Sequence, residues 1–130
     1  MSNIIGIGVD IISVERMARA WQLRPRLAQR ILAPQEISEM QERQGYDPLH
    51  LAGRWAAKEA VSKALGSGMR GFSFPDIVVY HNEWGNPLVQ LLGGAAIRGN
   101  QLGVSQILLS LSHESAFAIA YAVALGSTNI

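Results

Sequence analysis

The sequence predicts an α+β protein, and two observations carry that assignment. Helix start and stop signals crowd the first half of the chain, whereas β-branched runs joined by short polar turns fill the second. Strands that follow one another through short turns pair antiparallel, so the expected architecture is N-terminal helices packed on an antiparallel sheet. The 130 residues suit one domain spanning 1–130.

The elements follow in order. Ile4–Val9 is apolar and β-branched, interrupted by Gly6 and Gly8, and reads as a buried strand ending at Asp10. Ser13 is an N-cap for a helix reaching Gln22, with Met17 and Trp21 on one face. Pro25 sits in the first turn of a short second helix to Leu32. Pro34 opens a third, Gln35 to Gln44, stopped by Gly45. Asp47-Pro48 pairs an N-cap with proline at the first helical position, and the helix it opens runs to Leu65 with Gly66 as its stop. Beyond a glycine-rich loop, Ile77–Tyr80 and Leu88–Leu92 are strands around the Glu83–Pro87 turn. Gly94 to Leu102 is a weak helix ended by Gly103. Gln106–Leu111 and Ala116–Ala124 are two more strands around a Ser112–Ser115 turn.

Composition excludes several classes. With no cysteine, neither a disulfide nor a Cys-based zinc site is available. The opening residues lack the basic region of a secretory leader, so a cytoplasmic location is expected. Val104–Leu125 is long enough to cross a bilayer, but His113 and Glu114 interrupt its middle, so no membrane span is expected. Net charge is +1, unevenly spread. Arg16, Arg19, Arg24, Arg26 and Arg30 crowd together with only Glu15 to offset them, which makes either a solvated helix face or a surface for an acidic partner. No nucleic-acid motif accompanies the cluster. The late strands are apolar on both faces, and subunit association would cover one of them.

Chemistry concentrates in Trp55-Ala-Ala-Lys58-Glu59-Ala-Val-Ser-Lys63-Ala-Leu-Gly66. Trp55, Glu59 and Lys63 fall at i, i+4 and i+8 and line one helix face, while Lys58 points about 100° away from Glu59. Such spacing also makes an ordinary surface ion pair between Glu59 and Lys63. Lys58 and Lys63 are the only lysines, the other nine basic residues being arginine, and lysine suits a phosphate as a mobile point charge. Gly66-Ser67-Gly68 follows, and a glycine-rich exit lets backbone N–H groups approach phosphate closely. Asp10 is either a turn aspartate or, with Glu59, one of the two carboxylates that Mg²⁺ takes beside phosphate and water. His113 stands at a turn, and its neighbours form no hydrolase triad.

These residues resemble the holo-acyl-carrier-protein synthase family of phosphopantetheinyl transferases. The resemblance rests on Ile5-Gly-Ile-Gly-Val-Asp10-Ile with Arg16, on Arg54 to Gly68, on Gly85-Asn86-Pro87, and on Leu109-Ser-Leu-Ser-His113, and it covers nearly the whole chain. Trp55 stands where the family usually has phenylalanine. The resemblance implies the phosphopantetheinyl transferase fold and transfer of the phosphopantetheine arm of coenzyme A to a serine of apo-acyl carrier protein, releasing adenosine 3′,5′-bisphosphate. It implies Mg²⁺ on Asp10 and Glu59, and Lys63 against the transferred phosphate. Glu59 or a water on the metal would take the serine proton. It implies a coenzyme A pocket from Lys63, Gly66, Ser67, Gly68, Asn86, Pro87 and His113, carrier-protein contact at Arg16, and a homotrimer. A non-catalytic module binding carrier protein or coenzyme A is the competing expectation.

Overall fold

The computed structural model describes residues 2–42, 45 and 47–127. Strand β1 (Ser2–Ser13) leads directly into α1 (Val14–Leu23), followed by α2 (Leu27–Ile31), α3 (Pro34–Glu42) and α4 (Pro48–Ala64). A 3-10 turn at Phe74–Asp76 precedes β2 (Ile77–His81) and β3 (Pro87–Leu91). Then come α5 (Gly93–Leu102), β4 (Val104–His113) and β5 (Phe117–Ser127). The strands form two antiparallel sheets, one in the order β1-β5-β4 and the other the β2-β3 hairpin. No helix among the described residues is long and apolar enough to cross a membrane.

The caps are those the sequence names. The Ser13 hydroxyl accepts the Arg16 N–H at 3.2 Å, starting α1. Asp47 Oδ1 accepts from Leu49 and His50 N–H at 3.1 and 3.3 Å, with Pro48 at the first helical position of α4. Gly66 (φ +75°) and Gly103 (φ +78°) end α4 and α5 in the left-handed region that favours glycine.

Most boundaries differ from expectation by one to three residues, and those nearest the candidate residues matter most. β1 does not stop at Asp10, because its pairing with β5 continues to Ser13↔Phe117; Asp10 is an interior strand residue opposite Ala120. β4 likewise runs through His113, which pairs with Ala118, so the turn begins at Glu114. α2 starts at Leu27, leaving Pro25 in the preceding turn. The third helix begins at Pro34, and its expected last residue, Gln44, lies outside the described residues.

The packing of α4 on the three-stranded sheet sets the site. Ala56, Ala57, Ala60 and Ala64 of the helix meet Ala120, Ala122 and Ala124 of β5 in one buried cluster with Val61, Leu65, Ile77 and Val79. Methyl groups on both sides bring helix and sheet unusually near. A Cβ on Gly6 would stand 2.0 Å from the Ala64 carbonyl oxygen, and one on Gly8 1.9 Å from that of Ala60. The two glycines that interrupt β1 are therefore the price of this approach. A second cluster joins Met17 and Trp21 of α1 with Ala28, Ile31, Leu32, Leu51 and Ala52.

Strand β5 alternates strictly, but with its small residues inward. Ala118, Ala120, Ala122 and Ala124 are buried under α4, whereas Phe117, Ile119 and Tyr121 face out. Ile7, Val9 and Ile11 of β1 and Leu108 of β4 are also exposed. The outer face of the sheet is thus apolar and uncovered within one chain.

Candidate active site

From Leu51 to the end of α4, only Gly53, Trp55, Glu59 and Lys63 escape burial. The stripe expected from i, i+4, i+8 spacing is the helix's one open edge. Asp10 comes to that edge from β1. Its side chain shares the parity of Gly6 and Gly8, the residues against which α4 packs.

Lys63 bridges helix and strand. Its Nζ donates to the Val9 carbonyl at 2.8 Å and lies 3.4 Å from Asp10 Oδ1. Among the described residues no ion pair joins Glu59 to Lys63, so the helix-surface pair that the spacing allowed is not formed. Glu59 is half-buried, and its carboxyl is pushed above the ordinary range by burial first and by the Asp10 charge second, with Lys63 opposing. Two carboxylates that repel each other, flanked by one ammonium, form a donor set that fits a hard divalent cation. Mg²⁺ takes one or two carboxylates and fills its shell with phosphate and water. Among the described residues there is no third acid or histidine to complete a larger cage.

A groove of about 690 Å³ opens from these carboxylates. Asp10, Trp55 and Glu59 form one end, and Arg16, Arg19 and Arg24 line its run along α1. Arg16 and the carboxylate pair therefore share one surface. At the end of α4, Gly66 and Gly68 both take positive φ, and the Ser67 hydroxyl donates to the Gly68 carbonyl at 3.0 Å. Added bulk at Gly68 would meet nothing within 4 Å, so the loop is open to an incoming group.

The remaining predicted residues lie elsewhere. Pro87 and His113 line a second cavity of about 320 Å³ with His50, Gly53, Arg54 and His81. Asn86 stands between Gly85 and Pro87 in the hairpin turn, its N–H donating to Asn82 Oδ1 at 3.0 Å. This cavity abuts the N-terminal half of α4, whereas Gly66–Gly68 follow its C-terminus, roughly 20 Å away at the rise of an α-helix. One chain does not bring the two groups together.

Lys58, adjacent to Glu59, turns inward and is fully buried. It donates to the Ile31 carbonyl at 2.7 Å and the Phe74 carbonyl at 3.1 Å, and it pairs with Glu36 Oε1. Burial lowers its pKa, and Glu36 opposes that shift. Glu36 also accepts the Ala33 N–H at 2.9 Å and lies 3.6 Å from Arg54 Nε. Arg54 continues to Glu39 at 3.6 Å and to His81 Nδ1 at 3.3 Å. Sequence reasoning missed this network because its members come from α3, α4 and β2. The available signal was the pair of charges, Arg54 and Lys58, at i and i+4 on an otherwise alanine-rich helix.

Paired carboxylates and a lysine beside an open glycine loop, on an α+β scaffold, make a site suited to a phosphate group held with a divalent cation. The chain belongs to the 4′-phosphopantetheinyl transferase superfamily, whose family model matches residues 6–122. Within it the chain stands with the holo-[acyl-carrier-protein] synthases. That of Clostridium perfringens is 46% identical over 127 residues, covering 95% of each chain. The solved acyl carrier protein synthase of Plasmodium yoelii, with ADP bound, superposes with a TM-score of 0.91 at 32% identity, covering 98% of this chain and 99% of its own. The Bacillus anthracis holo-(acyl-carrier-protein) synthase in complex with CoA (3′,5′-ADP) has a TM-score of 0.80 at 33% identity, covering 95% and 98%.

Proposed function

We propose that the chain transfers the 4′-phosphopantetheine arm of coenzyme A to a serine hydroxyl of apo-acyl carrier protein, releasing adenosine 3′,5′-bisphosphate, with Mg²⁺ as cofactor. The observation that carries this reading is the meeting of Asp10, Glu59 and Lys63 at the mouth of an arginine-lined groove. Asp10 and Glu59 would hold the metal, which when bound supplies charge neutralisation at the pyrophosphate. Lys63, anchored by the Val9 carbonyl, would neutralise charge on the phosphate in transfer. The serine oxygen forms a bond to the phosphorus that carries pantetheine, and the bond from that phosphorus to the bridging pyrophosphate oxygen breaks. Phosphoryl transfer needs mainly positioning and charge stabilisation, which this small inventory supplies. Glu59 or a water on the metal would take the serine proton, and Arg16, which lines the same groove, would give an acidic carrier its contact.

The working unit is a homotrimer with sites between subunits. Two features support this part of the reading. The outer face of the β1-β5-β4 sheet is apolar and uncovered, and the glycine loop and the Pro87–His113 cavity sit at opposite ends of α4. Apposition of one subunit's loop with a partner's cavity would complete a coenzyme A pocket that one chain leaves divided. Light scattering at assay concentration is expected to report three chains, and a clean monomer with full activity would overturn this part.

Incubation with coenzyme A, Mg²⁺ and apo-carrier protein tests the central claim. The expected result is a carrier mass increased by one phosphopantetheine. Binding of carrier and coenzyme A without any mass gain, over several carriers, would instead make the chain a non-catalytic binding module.

A further inference from the structure

Among the described residues, Trp84 is the most exposed large apolar side chain, at 82%. Its turn does not need it. Asn82 Oδ1 accepts both the Trp84 and Asn86 N–H groups at 2.9 and 3.0 Å, and the Gly85 N–H donates to the Asn82 carbonyl at 3.0 Å. With Gly85 at φ +82°, the turn is ordered by Asn82 and Gly85, and the indole is left presented to solvent. An aromatic of this size held out on an ordered turn is a ready stacking surface.

Its neighbours point to what would stack. Gly85 and Pro87, on either side of Asn86, wall the 320 Å³ cavity. All three histidines of the chain, His50, His81 and His113, line that cavity with Arg54. Arg54 is almost wholly buried, its guanidinium held between Glu36, Glu39 and His81. The recess is polar and hydrogen-bonding, with Asp47 also in its lining, and the turn that walls it through Gly85 and Pro87 carries Trp84 next to Gly85. A hydrogen-bonding recess and a flat aromatic on one turn suit a ligand that joins a sugar phosphate to a planar base. Two solved relatives, at TM-scores of 0.91 and 0.80, hold adenine nucleotides.

We propose that Trp84 is a further binding residue of this protein, stacking on the adenine ring of coenzyme A while the nucleotide end lies over the cavity. This inference rests on the transferase reading above.

Titration of the full chain with adenosine 3′,5′-bisphosphate, followed by tryptophan emission, tests it. Trp21 is buried, whereas Trp55, stacked on Phe74 at 4.5 Å, also lines the groove beside Asp10 and Glu59, so Trp84→Phe is the variant that assigns the quenching to Trp84. The expected result is saturable quenching that disappears in Trp84→Phe. Trp84→Ala should weaken the bisphosphate about tenfold and raise the KM for coenzyme A to match, without a matching loss in kcat. Trp84→Phe should keep affinity within about threefold. Inorganic pyrophosphate, which has no base, should bind all three alike. Unchanged affinity in Trp84→Ala would overturn the stacking role while leaving the transferase reading intact. Weakening that tracks a fall in molecular mass would also overturn it, making Trp84 a subunit contact. A native protein that binds neither nucleotide nor coenzyme A would remove the transferase reading along with it.

Discussion

Replacing Gly8 by alanine adds one methyl group and is expected to disable the site without touching any reacting group. The new Cβ would stand 1.9 Å from the Ala60 carbonyl oxygen and 2.8 Å from the Lys63 Cβ, whereas ordinary contact begins at 3.4 Å. The shortfall of about 1.5 Å must come from retreat of α4, because the obstruction is backbone rather than the end of a flexible side chain. Retreat lifts Glu59 and Lys63 from Asp10. The Lys63 bonds to Val9 at 2.8 Å and to Asp10 at 3.4 Å cannot both survive it. Overpacking of this kind costs about 1–3 kcal/mol, and a misplacement near 1 Å costs about 100-fold in rate. Initial rates of carrier modification and urea unfolding on the same preparation measure both. Gly53→Ala on the same helix is the control for stability alone, since Gly53 lines the Pro87–His113 cavity: a Cβ there meets nothing within 4 Å, so stability should rise by about 0.5–1 kcal/mol. Native stability with a rate within about threefold of native for Gly8→Ala would refute the argument that these glycines set the helix height.

Other substitutions separate the roles. Glu59→Gln should abolish turnover and weaken dependence on Mg²⁺, and normal Mg²⁺-dependent rates would remove Glu59 from the site. Chelation of the native enzyme with EDTA should stop carrier modification, and added Mg²⁺ should restore it. Lys63→Ala should lower the rate by orders of magnitude, whereas a change below about tenfold, ~1.4 kcal/mol, would speak against charge stabilisation. Arg16→Glu should raise the apparent KM for carrier protein far more than that for coenzyme A, and equal effects would mean it does not meet the carrier. Lys58→Met should cost about 3–5 kcal/mol in urea unfolding by stranding Glu36, and a loss under about 1 kcal/mol would show that the network tolerates a missing charge.

Local rules carried most of the element order. Ser13, Asp47-Pro48, Gly66 and Gly103 each act within a few residues of where they stand, so caps and stops could be read directly. The stripe Trp55, Glu59, Lys63 was legible for the same reason: helical period alone sets which residues share an edge. Where Asp10 lies along its strand was not legible, because the length of β1 is decided by pairing with β5 more than a hundred residues later. The division between Gly66–Gly68 and Pro87–His113 was hidden too, since one sequence motif set says nothing of which end of α4 each segment reaches. The gathering of His50, His81, His113 and Arg54 around one cavity depends on β2, β4 and α4 meeting in space, and none of their spacings announces it. Conversely, Phe117–Tyr121 is apolar at every position, yet by burial it alternates without a fault because the small residues face inward.

That alternation has a consequence for the life of the newly made chain. Because alanines fill the inner side of β5, the bulky residues that usually reward collapse are left pointing away from it. A freshly folded copy therefore leaves part of its hydrophobic driving force unspent on an open sheet, in reach of any other sticky surface it meets. Yield of soluble protein should then respond to expression rate and co-solvent more sharply than to changes in the core, because Ile7, Ile11, Phe117 and Tyr121 stay open until subunits associate.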